Sequence, residues 1–187
     1  MYASGEGVVQ DHAEAASWYR LAAIQGDTQA QFNLCSAYET GQGVPRDYPE
    51  AVRCYRLAAE QGHVGAQVNL GGMYLYGQGV KRDEKKAVRW FQLAADQGDD
   101  TAQFNLGVMY DRGANTLTGR FLGQLLRWVL RDDVKAYMWY SLAAAQRYGP
   151  GRDEAVRLRD SVATRMTAEQ VAEAQRRARE WTPTPEP

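Results

Sequence analysis

Two residue types that most often carry chemistry are nearly missing from this chain: its 187 residues hold two histidines and two cysteines. His12 and His63 fall in a helix-entry segment and a turn, and no Ser/His/Asp or Cys/His set can be assembled around them. Cys35 and Cys54 lack zinc-ligand spacing, and two cysteines form no disulfide framework. They read as small buried hydrophobes, with a bridge between neighbouring helices as the alternative. Charge of one sign is lacking too: 22 Lys+Arg against 23 Asp+Glu leave a net charge of −1, so no global field draws the chain to nucleic acid or an anionic membrane. Arg176-Arg177 and Lys85-Lys86 are isolated basic pairs on solvated helix faces. No apolar run approaches the length of a membrane span, and no signal peptide stands in these residues. β-Branched residues are sparse while Ala, Arg and Glu abound, which favours helix throughout. Cofactor chemistry finds no foothold, because each Gly-x-Gly ends a helix instead of following a strand.

What is present is periodic. Gly5-Glu6-Gly7-Val8, Gly41-Gln42-Gly43-Val44 and Gly77-Gln78-Gly79-Val80 recur at 36 residues, and Gly113 falls on the same register. Leu21-Ala22-Ala23, Leu57-Ala58-Ala59 and Leu93-Ala94-Ala95 keep that step, as do Ala30-Gln31, Ala66-Gln67 and Ala102-Gln103. A fixed period of this length marks a solenoid, in which each unit buries its apolar face only against its neighbours. In residues 28–63, Ala30, Leu34, Ala37 and Tyr38 form one helical stripe, which Gly41 closes. Asp47 is placed to cap the next helix, where Ala51, Tyr55, Ala58 and Ala59 point inward. The spacing predicts helices near 12–25, 28–40, 48–61, 64–76, 84–97, 100–111, 133–147, 153–165 and 168–181.

Ala66, Leu70, Gly71, Tyr74, Gly77, Gly79, Val80, Trp90, Phe91, Ala94, Ala95 and Gly98 together resemble the Sel-like repeat, a branch of the tetratricopeptide superfamily. The likeness covers residues 1–148. It implies an all-α, right-handed α-solenoid of antiparallel helix pairs that acts as a protein-binding adaptor without catalysis. Some cysteine-rich relatives bind or hydrolyse β-lactams, which sets a small-molecule hydrolase using Cys35 or a polar cluster near the 114–128 insert as the alternative; this chain lacks their repeated cysteine pairs. Members of this family are found in bacterial signalling and envelope proteins, and the compartment is left open between cytoplasm and periplasm.

Three further expectations follow. Met1-Tyr2 stands where Met73-Tyr74 and Met109-Tyr110 stand, so the first helix of the first repeat is missing, and Trp18, Leu21 and Ala22 should form an apolar edge open to self-association. Residues 114–128 form an insertion; its apolar Phe121, Leu122, Leu125 and Leu126 belong to a helix packed on the array, a partner-docking element or a membrane-surface anchor. After residue 148 the period is lost. Gly149-Pro150-Gly151 reads as a break, residues 149–181 as a capping helix pair with Thr167 and Gln170 as a capping box, and 182–187 as a flexible tail.

A partner, a protein or peptide, would lie along the first helix of each pair. The rows one step off the packed stripe are Phe32, Val68 and Phe104; Ser36, Gly72 and Val108; and Glu39, Leu75 and Asp111, with Tyr76 at the rim. Phe32 and Phe104 either finish the packing or anchor the partner. Val68, Leu75 and Val108 are assigned to the groove, because such small apolar groups are not needed to fill the interior.

Overall fold

The computed structural model describes residues 2, 7, 9–113 and 131–184. They form α1 (His12–Ile24), α2 (Thr28–Thr40), α3 (Tyr48–Glu60), α4 (Val64–Tyr76), α5 (Glu84–Asp96), α6 (Asp100–Arg112), α7 (Asp133–Gln146), α8 (Gly149–Ala163) and α9 (Ala168–Glu180), with no strand among the described residues. The chain divides into two compact units, one running to Ala87 and the other from Val88 to Glu186.

Helix entry is set by side chains that cap. Asp11, Asp27, Asp47, Asp99 and Asp132 each accept a hydrogen bond from a backbone N–H in the first turn of the following helix, satisfying donors that no helical carbonyl reaches. His63 holds the register of Asp27 and Asp99 and does the same work: its Nδ1 accepts from Ala66 N at 3.2 Å. It is a cap whose ring stacks on Phe32, not a solvated turn residue.

Each hairpin closes through one backbone bond. Asp47 N donates to Tyr38 O at 2.8 Å, Asp83 N to Tyr74 O at 2.9 Å and Asp132 N to Tyr110 O at 3.0 Å. The third bond spans the long connector between α6 and α7, so the insertion leaves the repeat's own closure intact. In the Gly-x-Gly turn the two glycines have different duties. Gly41 takes φ +79° as a left-handed helix cap. Gly43 also has positive φ, and a methyl there would overlap the His12 carbonyl at the head of α1. Gly79 meets Tyr48 in the same way at the head of α3.

The B-type helices α1, α3 and α7 turn into α2, α4 and α8 over the same distance: helix starts at 12, 48 and 133 are followed by starts at 28, 64 and 149. This corrects the reading of Gly149-Pro150-Gly151 as a break, since α8 begins at Gly149 with Pro150 in its first turn, where a proline lacks nothing. The sequence pattern fades after residue 148, but the spacing of elements does not. Thr167 and Gln170 form the expected capping box of α9.

The second correction concerns sulfur. Cys35 of α2 and Cys54 of α3 are joined by a disulfide, with Cα atoms 5.3 Å apart. Their positions are those of Gly107 and Trp139 in the second unit. In the first unit two cysteines at these positions join the neighbouring helices covalently. Closing a 19-residue separation in the unfolded chain contributes roughly 3 kcal/mol.

The glycine argument makes a paired prediction. Gly43→Ala should cost about 2 kcal/mol or more, from positive φ plus overlap with His12. Gly72→Ala, in mid-helix with open space around the new methyl, should stabilise by about 0.5–1 kcal/mol. Chemical denaturation of the two variants checks both signs.

Candidate binding surfaces

The motif glutamines, noted in the sequence only as markers of the period, explain the interior. Gln67 is 3 % exposed and Gln103 fully buried. Gln67 Nε2 donates to Ala59 O at 3.2 Å, Gln103 Nε2 to Ala95 O at 3.5 Å and Gln31 Nε2 to Ala23 O at 3.4 Å. α2, α4 and α6 are thus each tied to the Leu-Ala-Ala segment before them. Gln103 Oε1 accepts from Gln146 in turn, at 3.1 Å.

With the interior committed, the nominated residues sort by unit. In the first unit the Phe32 ring stacks on His63 with centroids 4.6 Å apart and tilts against Tyr55 at 5.8 Å. Phe32 therefore packs between successive helix pairs. Ser36 and Phe32, with His12, Ala15, Ala16, Tyr19, Asn33, Ala37 and Gln42, wall a pocket of about 170 Å³ between α1 and α2. Glu39 is held from below: Tyr55 Oη donates to its Oε2 at 2.7 Å and accepts from Asn69 Nδ2 at 2.9 Å. Burial, then the Glu39 carboxylate, push the Tyr55 phenol well above its ordinary pKa, so it remains a donor. Val68 and Leu75 are half-buried, and Tyr76 is 74 % exposed.

In the second unit the same rows are spent on packing. Phe104 tilts against Tyr140 at 5.8 Å, lies under the Arg147 guanidinium at 4.5 Å and packs on Ala143, Ala144 and Ala155. Arg147 is fixed there by Asp100, 2.7 Å away. Val108 packs on the cluster of Ala136, Tyr137, Tyr140, Val162 and Ala174. Val108 stays half-buried there, against residues of α7, α8 and α9. Asp111 pairs with Arg165, which also bonds Asp133 at 2.9 Å. Phe121, Leu122, Leu125 and Leu126 lie outside the described residues.

On α1, Trp18 is 54 % and Leu21 53 % exposed, and Leu57, at the register of Leu21, is 50 % exposed as well. Among the described residues, no group of three or more His, Cys, Asp or Glu is placed to hold a metal, and no helix is long and apolar enough to cross a membrane.

Four consecutive stretches, residues 1–27, 28–63, 64–99 and 100–148, match the family model of the Sel1 repeat. Among solved structures, the chain is similar to c5321, a protective antigen present in uropathogenic Escherichia coli strains displaying an SLR fold. The identity is 33 %, with a TM-score of 0.79 over 96 % of this chain and 35 % of that one. It is also similar to a Sel1 repeat protein from Oxalobacter formigenes, at 30 % identity and a TM-score of 0.69 over 90 % of this chain and 71 % of that one. This chain therefore spans about a third of the length of the first. No curated protein matches it. The fold class is an all-α solenoid of helix-pair repeats.

The contrast between the two units is testable. Phe104→Ala should lower stability by about 2–3 kcal/mol, as for a partly buried aromatic, whereas Tyr76→Ala should stay within about 0.5 kcal/mol of the parent. Thermal melts of both variants report the difference.

Proposed function

The chain belongs to the Sel1 repeat family, whose repeats generally serve as non-catalytic scaffolds that bind proteins, and we propose that its first unit holds a segment of a partner protein along α2 and α4. The observation that carries this reading is the pocket between α1 and α2. Two residues nominated from the repeat register, Phe32 and Ser36, wall it, and its volume of about 170 Å³ suits one side chain of a partner. Beyond it, Glu39 offers a carboxylate whose orientation Tyr55 fixes, and Leu75 and Tyr76 present apolar surface at the end of α4. Val68, half-buried on the same helix, extends this surface. A fixed acceptor between a pocket of mixed polar and apolar lining and an aromatic rim is the pattern by which extended or helical segments are recognised.

A hydrolase is the weaker reading. Of its two candidate sites, Cys35 and a polar cluster near the insert, the first is no free nucleophile, because that sulfur is bonded to Cys54. The same bridge supports a working place outside the reducing cytosol, where disulfides persist. Alkylating free thiols in intact source cells before extraction should leave both cysteines unmodified. Modification of either in the bulk of the protein would place the chain among reduced thiols.

Partner capture from the source cells tests the surface itself. Ser36→Phe, which fills the pocket from a partly exposed position, and Tyr76→Asp should each reduce capture at least about tenfold with melting nearly unchanged. Undiminished capture by both variants would place binding elsewhere.

A further inference from the structure

The chain carries a bound peptide of its own. After α9, residues 181–184 run extended across the second unit: Trp181 meets Trp139 edge-on with centroids 6.4 Å apart, and Pro183 covers Gly98. Thr184 bonds the last carbonyl of α5, Asp96 O, through its N–H at 2.7 Å and its hydroxyl at 3.2 Å. Trp139, which Trp181 meets, is 4 % exposed, and Leu142, one turn further along α7, is 8 % exposed. The described part of the tail, expected to be loose, is held in a groove built from the end of one B-type helix, the glycine turn after it and the outer side of the next B-type helix.

The repeat builds that groove again in the first unit. Ile24 and Gly26 stand at the register of Asp96 and Gly98, and Cys54 and Leu57 at that of Trp139 and Leu142. The turn is the same, with φ +90° at Gly26 and +95° at Gly98. What differs is occupancy. Among the described residues nothing lies within 4 Å of a Cβ position at Gly26, and Leu57 is 50 % exposed where Leu142 is 8 %. Ile24 O occupies the place of the carbonyl that Thr184 engages, at a helix end whose last carbonyls lack helical partners.

We propose that this groove, formed by Ile24 O, Gly26 and Leu57, is a second docking site, and that it takes an extended segment of a partner protein with the chemistry of Trp-Thr-Pro-Thr. In the docked segment the proline covers Gly26. The residue after it donates N–H and hydroxyl to Ile24 O, and the aromatic two residues before the proline lies over α3 at Cys54, the register of Trp139, one turn from the exposed Leu57. Proline suits the site because it favours the extended backbone and needs no donor of its own. The site uses neither the α1–α2 pocket nor Tyr76, so it stands whether or not the groove of α2 and α4 binds.

The test is a titration of the isotope-labelled full chain with a synthetic peptide of the sequence of residues 179–184, followed by nuclear magnetic resonance. Support is a saturable shift of the Gly26 and Leu57 resonances, a Kd weakened at least about tenfold in Leu57→Asp, and no weakening in Tyr148→Asp, a control at an exposed position. The Tyr76→Asp variant should bind this peptide like the parent, which separates the two surfaces. Shifts confined to Asp96, Gly98 and Trp139 would mean that the peptide only displaces the chain's own tail, and would overturn the proposal. So would the absence of any shift. Concentration-dependent self-association that Leu57→Asp abolishes would make the occupant a second copy of this chain and overturn the assignment to a partner.

Discussion

A buried glutamine amide, reaching back to a carbonyl of the preceding helix, is the constraint around which each repeat is arranged. An unpaired amide in an apolar interior costs on the order of 1–3 kcal/mol, so Gln67 and Gln103 must find acceptors at a fixed distance. The acceptors are Ala59 and Ala95. That geometry demands small residues on the facing helix, and Ala58, Ala59, Ala94 and Ala95 are almost wholly buried. It also demands room for the aromatic of the following helix. At Gly107 a methyl would stand 2.6 Å from the Tyr140 ring, so the glycine admits the ring and the ring fills the space beside the alanines. Ala-Gln, Leu-Gly and Leu-Ala-Ala are thus parts of one device.

Because the interior and the turns are committed in this way, variation is confined to the outward rows, and the two units use them differently. In the second unit Phe104, Val108 and Asp111 meet α7, α8 and the residues after α8. In the first unit the equivalent rows keep Ser36 on a pocket, Glu39 on a fixed hydrogen bond and open space beside Gly72. The outer side of the B-type helices repeats the contrast: Leu142 is covered and Leu57 is half exposed. One sequence register therefore serves as closure in one unit and as available surface in the other. A scaffold built from repeats needs that division, since every face that packs is lost to binding.

The helices, their caps and the glycine turns were legible because each follows from local chemistry: period, an aspartate before the first turn, a glycine after the last. Asp47 and the Thr167–Gln170 box needed no tertiary knowledge. Placement across helices was harder. Val108 reads as a small apolar group on an open row, and the structure sets it, half-buried, against residues of α8 and α9. Gly149-Pro150-Gly151 has the composition of a break, yet proline in a first turn is also how a helix begins. Cys35 and Cys54 sit 19 residues apart on neighbouring helices, and only the packing of α2 on α3 brings their Cα atoms to 5.3 Å. His63 was hidden by its register, since a ring nitrogen replaces a carboxylate oxygen there.

The most direct test of the central claim is hydrogen exchange of glutamine side-chain amides, followed by nuclear magnetic resonance. If Gln67 and Gln103 tie their helices to Ala59 and Ala95, their carboxamide protons should exchange far more slowly than those of Gln78, which is exposed on a turn. Exchange at Gln67 and Gln103 as fast as at Gln78 would show that the amides are open to water, and the device described here would not hold the repeats together.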